Sequence, residues 1–238
     1  MEMWYKFTKC ILRIYLAVCI RKIHVIGNKN LTPGPKIIVA NHPNLTDGFT
    51  MPFVFNEKLH FLIQSQTFSV PIFGPLLTKA GQIPVVMGRG REALNSALEK
   101  LSAGKVIVLF PEGKLNHGEK IRRGRSGAAV LALKSGAPVV PVGFYVPRKN
   151  TAMWKGYIHN RKSQARWQLR GDCTIYIGKP WRVSPTTDSE INPKELRAIT
   201  EKIMLQIADL TELARKEADD SRENPFNLKA DALKKTFY

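Results

Sequence analysis

Short apolar runs separated by helical patterns leave this chain few ways to fold. Three runs, at residues 36–40, 106–110 and 139–146, have the length of buried strands and are too short for buried helices. Residues 91–103 place Ala and Leu at helical spacing ahead of the second run, and Gly104 ends that pattern. Strands joined through helices pair in parallel rather than as hairpins. The sequence therefore predicts an α/β fold, a single domain with a largely parallel central sheet flanked by helices.

The predicted domain extends from residue 23 to residue 218 of the 238-residue chain. Further strands are predicted at 59–63, 83–86 and 174–177, and helices at 51–55, 126–134 and 193–218. Residues 70–75 contain two prolines and predict a turn into a short helix that ends near Gly81. The polar residues 219–238 predict a loosely docked C-terminal tail.

Residues 1–22 predict an amphipathic helix that docks on a membrane surface. Its basic residues are Lys6, Lys9, Arg13, Arg21 and Lys22. They lie among aromatic and aliphatic side chains, a combination that suits the headgroup region of a bilayer. The apolar stretch at 10–20 contains Arg13 and falls short of the roughly 20 apolar residues that a spanning helix needs. A helix packed on the domain core is the alternative.

The chain is strongly basic, with 37 Lys and Arg against 19 Asp and Glu and a formal net charge of +18. Such a charge attracts polyanions, which include nucleic acids, anionic bilayers and phosphorylated molecules such as coenzyme A. Residues 148–170 hold seven basic and no acidic side chains, interleaved with Trp154, Tyr157 and Trp167. That stretch fits a bilayer-facing patch, and it also makes a nucleic-acid-binding protein a rival interpretation. Three widely spaced cysteines predict no disulfide framework and favour a reducing compartment.

A His and an Asp five residues apart follow the first predicted strand, in the block 41–47 (NHPNLTD). Loops that leave the carboxyl ends of strands are where open α/β sheets place their sites. The carboxylate of Asp47 can accept a hydrogen bond from one imidazole nitrogen of His42 and leave the other to take a proton. By itself the pattern fits a structural pair as well as a catalytic one. A metal hydrolase using His42, Asp47 and Glu112 is a further alternative, although the other histidines lack ligand spacing.

Two further turns carry chemistry of their own. The turn 110–113 (FPEG) leaves another apolar strand, and its Pro and Gly predict a sharp bend that points the carboxylate of Glu112 out of the sheet edge. Arg89 and Arg91 follow the short run 81–85 and can clamp a phosphate, because a guanidinium matches phosphate oxygens. A solvated Glu and solvated Arg side chains are the simpler alternatives.

Taken in order, four blocks resemble those of the glycerolipid acyltransferases of the 1-acylglycerol-3-phosphate acyltransferase (PlsC-like) family. They lie at 41–47, 81–85, 110–113 and 137–142, with further agreement at 71–77, 91–94 and 177–180. The resemblance covers roughly residues 24 to 180. Each block is weak singly, but four in this order at sensible spacing are highly specific.

The resemblance implies an O-acyltransferase that moves a fatty acyl group from acyl-CoA or acyl-carrier protein onto a lysophospholipid hydroxyl. His42 is then the general base, and Asp47 orients and charge-stabilises its imidazole. The family's second and third blocks bind the glycerol phosphate of the acceptor, which makes Glu112 and Gly113 substrate-binding residues here. The other predicted substrate-binding residues are Arg89, Arg91, Arg125, Ile83 and Pro84, with oxyanion donors expected among the backbone N–H groups near 83–85. We expect no metal, no cofactor and no nucleic-acid partner, and a peripheral or monotopic protein on the cytoplasmic face of a membrane.

The identity of the acceptor is left open. The family usually carries an Arg where this chain has Met87, two positions after the start of the Val85–Val86 pair. Either Arg89 or Arg91 reaches the acceptor phosphate instead, or the acceptor lacks that phosphate. The default acceptor is 1-acyl-sn-glycerol-3-phosphate; glycerol-3-phosphate, another lysophospholipid and an aminoacyl lysolipid are the alternatives. Neither the chain length of the donor nor the choice between CoA and carrier protein follows from the sequence.

Overall fold

One seven-stranded sheet forms the centre of the structure, a computed structural model that describes residues 2–117, 120–158, 161–186 and 191–223. The strands are β1 Lys22–Ile26, β2 Lys36–Ala40, β3 Leu59–Gln64, β4 Ile83–Val85, β5 Val106–Leu109, β6 Val139–Tyr145, β7 Thr151–Ile158, β8 Arg161–Gln168 and β9 Asp172–Ile177. The helices are α1 Glu2–Cys19, α2 Asp47–Val54, α3 Phe73–Lys79, α4 Gly90–Ser102, α5 Gly127–Ser135 and α6 Pro193–Glu223.

The strand order across the sheet is β1-β9-β6-β2-β5-β3-β4. The five strands from β6 to β4 run parallel, whereas β9 runs antiparallel to β6 and β1 runs parallel to β9. The predicted fold class is therefore confirmed, with two reversed strands at one edge. Each predicted strand is present within two residues of its predicted ends.

Strand β2 lies at the middle of the sheet and is buried along its whole length. Its side chains alternate between two cores: Ile37 and Val39 pack with α4, α5 and α6, whereas Ile38 and Ala40 pack with α2 and the strands around it. A parallel sheet needs cover on both faces, which explains why residues 37–40 are apolar at consecutive positions rather than alternating. The loop that follows β2 therefore begins at a strand that is buried in the middle of the sheet.

Three features differ from the sequence-based expectation. Helix α1 ends at Cys19, and the unpredicted strand β1 begins at Lys22, inside the range 1–22 that was predicted for the helix. Strands β7 and β8 form a separate antiparallel hairpin within the basic stretch, where no strand was predicted. Helix α6 continues to Glu223, so the predicted domain end at residue 218 lies inside a helix. Of the predicted tail, residues 224–238 lie outside the described residues, and its loose docking stays a prediction.

The N-terminal helix α1 is amphipathic, and one of its faces packs on the domain. Docking of the helix on a membrane stays a prediction. Tyr5 and Leu16 are buried against the domain, and the Tyr5 hydroxyl accepts a hydrogen bond from the backbone N–H of Leu59 at 3.1 Å. Five other large apolar side chains of α1 are exposed in one stripe: Met3, Phe7, Ile11, Ile14 and Val18. In the part of the chain that the structure describes, no helix is both long enough and apolar enough to cross a membrane.

The contact between β6 and α6 depends on Gly143. A Cβ atom at this position would lie 2.3 Å from the backbone of Leu210 and Thr211, closer than any tolerated contact. We expect Gly143→Ala to lower the free energy of unfolding by about 3 kcal/mol or more, because backbone atoms of a helix cannot yield as a side chain can. Denaturant unfolding followed by circular dichroism measures the change. Gly90→Ala, where a Cβ meets nothing within 4 Å, is the matched control and leaves stability within about 0.5 kcal/mol; equal stability of the two variants contradicts the packing argument.

Candidate active site

The loop that carries His42 leaves the carboxyl end of β2. Asn41, directly before it, is buried and its side chain spans to the neighbouring strand β6. The Asn41 amide donates to the carbonyl oxygen of Phe144 at 2.9 Å and accepts from the Phe144 N–H at 2.7 Å. Both backbone groups of Phe144 are thereby satisfied beyond the β2–β6 ladder. The start of the loop is fixed before His42 is reached.

His42 and Asp47 form a hydrogen-bonded pair. The distance from His42 Nδ1 to Asp47 Oδ2 is 3.2 Å, and Asp47 is almost fully buried at the first residue of α2. Because a carboxylate only accepts, the proton of this contact belongs to Nδ1. Burial raises the pKa of Asp47 above its ordinary value, and the contacts with His42 and Asn44 offset part of that rise. The pair has the arrangement that leaves Nε2 of a neutral imidazole with a free lone pair.

The ring of His42 is held from its face as well as from its edge. Phe110 stacks on it with ring centroids 3.9 Å apart and planes 8° from parallel. The His42 side chain keeps 17% exposure, and among the described residues the imidazole forms its one hydrogen bond with Asp47. One nitrogen and one face of the imidazole are thus held in place, while part of the ring stays exposed to solvent. Such a ring is suited to exchange a proton with a bound molecule.

Glu112 lies inside the protein rather than at its surface, so the prediction that its carboxylate points out of the sheet edge is wrong. Its side chain is 4% exposed and accepts hydrogen bonds from the His42 N–H at 2.9 Å and from the Arg122 N–H at 2.8 Å. The Asn116 amide donates to both carboxylate oxygens, at 2.9 and 3.0 Å. The Asn116 N–H in turn donates to the His42 carbonyl at 2.9 Å. Both backbone groups of His42 are thus held by the loop that follows β5.

The hairpin β7–β8, which the sequence-based analysis missed, supports the other side of the His42 loop. The N–H of Leu45 donates to the carbonyl of Arg166 at 2.8 Å, and the N–H of Gln168 donates to the Thr46 hydroxyl at 3.3 Å. Tyr15 of α1 donates to the Gln168 carbonyl, and burial raises the pKa of Tyr15 to about 12, so this donor keeps its proton. The aromatic residues of the basic stretch were a signal for this element, since aromatic side chains favour strands.

Trp167 of that hairpin belongs to an aromatic cluster. Its ring lies 6.1 Å from that of Phe49, which also meets Tyr15 at 5.6 Å and Phe73 at 6.2 Å. The cluster joins α1, α2, α3 and β8 beside the His42 loop. Trp167 therefore packs within the protein, and its ring is less available to stack on nucleic-acid bases than the rival interpretation required.

The predicted phosphate-binding residues are divided between two places. Arg125 is exposed, and its guanidinium packs so closely on Gly113 that a Cβ there would lie 2.7 Å from Nε. Arg89 is exposed and paired with Glu92 at 2.6 Å, and Arg91 is exposed on the first turn of α4. The structure thus brings Arg125 to the turn that holds His42, while Arg89 and Arg91 follow the edge strand β4.

Two predicted contact residues on β4 differ in availability. The side chain of Ile83 is 2% exposed and lies in the core, so only its backbone can face a substrate. Pro84 is exposed, and Met87, the departure from the family pattern, is 78% exposed. His42, Asp47 and Glu112 do not converge on one point, and the described residues contain no group of three His, Cys, Asp or Glu side chains that could hold a metal ion.

Comparisons with known proteins identify the family to which the chain belongs. The family model described as Acyltransferase matches residues 22–145. The chain is 26% identical over 183 residues to the chloroplastic 1-acyl-sn-glycerol-3-phosphate acyltransferase BAT2 of Brassica napus, a match covering 74% of this chain and 50% of the relative. It is 34% identical over 111 residues to a lyso-ornithine lipid O-acyltransferase of Pseudomonas aeruginosa, covering 45% of this chain and 42% of the relative. The chain thus spans about half the length of these curated relatives.

A solved structure shares the fold. The crystal structure of PlsC, the 1-acyl-sn-glycerophosphate (LPA) acyltransferase of Thermotoga maritima, is similar with a TM-score of 0.61 and 21% identity, over 89% of this chain and 78% of that one. The family model covers more than half of the chain, including the His42 loop and the turn at Glu112. The chain therefore belongs to the PlsC-like acyltransferase family.

Proposed function

We propose that the chain transfers a fatty acyl group from acyl-CoA or acyl-carrier protein to the hydroxyl of a lysophospholipid, with 1-acyl-sn-glycerol-3-phosphate as the default acceptor. The observation that carries the proposal is the His42–Asp47 pair, held with Nδ1 toward a buried carboxylate at the carboxyl end of a central strand. Membership of the acyltransferase family supports the reaction type.

In the proposed mechanism, the acceptor hydroxyl lies at Nε2 of His42 and attacks the thioester carbonyl. The new C–O bond forms as the hydroxyl proton passes to Nε2, and Asp47 stabilises the resulting imidazolium. The C–S bond then breaks, and the imidazolium returns the proton to the leaving thiolate. General-base assistance of this kind contributes roughly 10²–10⁴-fold. Positioning and oxyanion stabilisation supply the rest.

Glu112 has a positioning role in this proposal. Its carboxylate accepts from the N–H of His42, and its amide partner Asn116 holds the His42 carbonyl through its own N–H. Direct binding of substrate by Glu112 would require these bonds to break. We therefore assign the acceptor phosphate to exposed cations nearby, with Arg125 at the Gly113 turn as the first candidate and Arg91 as the second.

We propose two candidate acceptors for the reaction. Among the relatives are an enzyme named for 1-acyl-sn-glycerol-3-phosphate and one named for a lyso-ornithine lipid, which differ in whether the acceptor name includes a phosphate. Met87 stands exposed where the family usually carries an Arg, so a lysolipid other than lysophosphatidate is the second candidate.

The exposed stripe of α1 is proposed to dock on the cytoplasmic face of a membrane. Its members Phe7, Ile14 and Val18 are between 50% and 78% exposed, and burying large apolar side chains in an interface is favourable. The opposite face of the helix contacts the domain beside the His42 loop through Tyr15. A docked α1 would therefore bring the site to the surface from which a lysolipid is drawn.

The transfer reaction is tested by thiol release from palmitoyl-CoA with a panel of lysolipids. We expect release that needs an acceptor and falls by at least about 10³-fold in His42→Ala, because the proposed general base is lost. His24→Ala, on the edge strand β1, is the matched control and keeps full activity. Retained activity of His42→Ala removes the mechanism, and silence of the wild-type protein with every acceptor and with acyl-carrier protein as donor removes the proposed function.

The positioning role is tested with Glu112→Gln. The side-chain amide of the variant has N–H groups of its own, which face the N–H donors that the carboxylate accepted from. We expect the His42 backbone to shift and kcat to fall by about 100-fold, while KM for the acceptor changes little. Glu99→Gln, exposed on α4, is the control without effect. The opposite split, a raised acceptor KM with kcat retained, would show that Glu112 binds the substrate directly.

Membrane docking is tested by sedimentation with vesicles of phosphatidylglycerol and phosphatidylcholine. Replacing Phe7, Ile14 and Val18 together by Gln should reduce the bound fraction at least about tenfold, because each apolar side chain contributes about 1.5–3 kcal/mol when fully buried. Leu205 and Leu213, exposed at 65% and 43% on α6, serve as the control pair for replacement by Gln. Equal loss in both variants, or none in the first, contradicts docking through α1.

A further inference from the structure

A cavity of about 270 Å³ lies beside the His42 loop. Pro43 and Asn44 of that loop form one wall, and the others are formed by the loop after β5, the end of β6, the hairpin residue Arg166 and helix α6. None of the residues proposed above to bind the acceptor phosphate lines it. The cavity therefore adjoins the catalytic loop but is separate from the Arg125 and Arg91 positions.

Arg166 gives the cavity an unusual charge. Its side chain is 8% exposed, and its Nη1 donates to the Thr151 hydroxyl at 2.9 Å. Its Nε–H is buried without an acceptor, and no carboxylate in the described ranges forms an ion pair with it. A buried guanidinium is costly unless paired and hydrogen-bonded. This arrangement points to an anion supplied from outside the chain.

The other cations of the cavity differ in how much charge they have to offer. Arg215 also lines it, but its guanidinium is engaged by Glu212 at 2.7 Å and Asp219 at 2.8 Å. Arg148 lines it and is exposed to solvent. The cavity is therefore positive chiefly through Arg148 and Arg166, and two guanidinium groups are suited to a phosphate.

Asn44 adds an acceptor to these donors. Its Nδ2 donates to Asp47 Oδ1 at 3.3 Å, and because a carboxylate can only accept, this contact fixes which end of the amide turns away. The Oδ1 atom is buried without a donor among the described residues, and Asn44 lines the cavity. A ligand that carries both an anionic oxygen and an N–H or O–H group would satisfy both features.

We infer that this cavity binds the phosphopantetheine arm of the acyl donor, with its phosphate at Arg148 and Arg166 and an amide or hydroxyl donor at Asn44. The inference rests on the proposed acyl transfer. CoA and carrier protein share this arm, and its methyl and methylene groups suit the apolar walls of Ile121, Phe144 and Val146. A lysolipid headgroup offers similar chemistry, but Arg125, the residue proposed above for the acceptor phosphate, does not line the cavity.

The experiment is calorimetric titration of the full chain with 4′-phosphopantetheine and with pantetheine, which lacks the phosphate. We expect the wild-type protein to bind the phosphorylated form at least about tenfold more tightly, and Arg148→Gln and Arg166→Gln each to lose roughly that factor for it alone. Arg170→Gln, exposed in the connection between β8 and β9 and outside the cavity, is the control with unchanged affinity. Arg148 is exposed, so its variant tests the site even if Arg166→Gln fails to fold.

Equal affinity of the wild-type protein for the two probes, or unchanged affinity in Arg148→Gln, overturns the inference. In steady-state assays the same variant should raise KM for palmitoyl-CoA and leave KM for the lysolipid unchanged; the reverse pattern assigns the cavity to the acceptor headgroup and also overturns it. Because binding of the probes needs no turnover, failure of the acyl transfer itself is seen separately, as the absence of thiol release.

Discussion

The buried carboxylate of Glu112 is the group on which the geometry of the site depends most. It joins the loop after β2 to the loop after β5 by accepting from the N–H of His42, the N–H of Arg122 and the amide of Asn116. A buried carboxylate is tolerated only when donors replace the water it has lost. The same bonds that stabilise Glu112 therefore fix the backbone of His42, and with it the position of the imidazole relative to Asp47.

Further contacts hold the imidazole and the loop of His42 around the Glu112 carboxylate. Phe110 fixes the face of the imidazole, Asp47 fixes its Nδ1 edge, and the hairpin holds the loop at Leu45 and Thr46. The Tyr15 contact extends the support to α1, so the helix with the exposed apolar stripe is connected to the His42 loop through one hairpin strand. Membrane docking, donor binding and proton transfer would thus meet at one loop of seven residues, 41–47.

The parallel sheet and the His–Asp pair could be predicted from the sequence, because both are expressed locally. The consecutive apolar residues 37–40 indicate a strand that is buried on both faces, and a His and an Asp five residues apart meet across a single turn. The role of Glu112 could not be predicted in this way, because its partners His42 and Asn116 come from separate loops. The hairpin was missed for a similar reason: its strands carry many charges, and their positions are decided by contacts with the 41–47 loop and α1.

The proposed mechanism requires Asp47 to fix the tautomer of His42 so that Nε2 is the free base. The ¹⁵N NMR spectrum of the histidine rings, with the His42 signals assigned by comparison with His42→Ala, reports this tautomer. The structure predicts that in neutral His42 the proton lies on Nδ1 and that Nε2 has the chemical shift of an unprotonated nitrogen. In Asp47→Asn this preference should be lost. A proton found on Nε2 of the wild-type ring, with Nδ1 bare, would contradict the account.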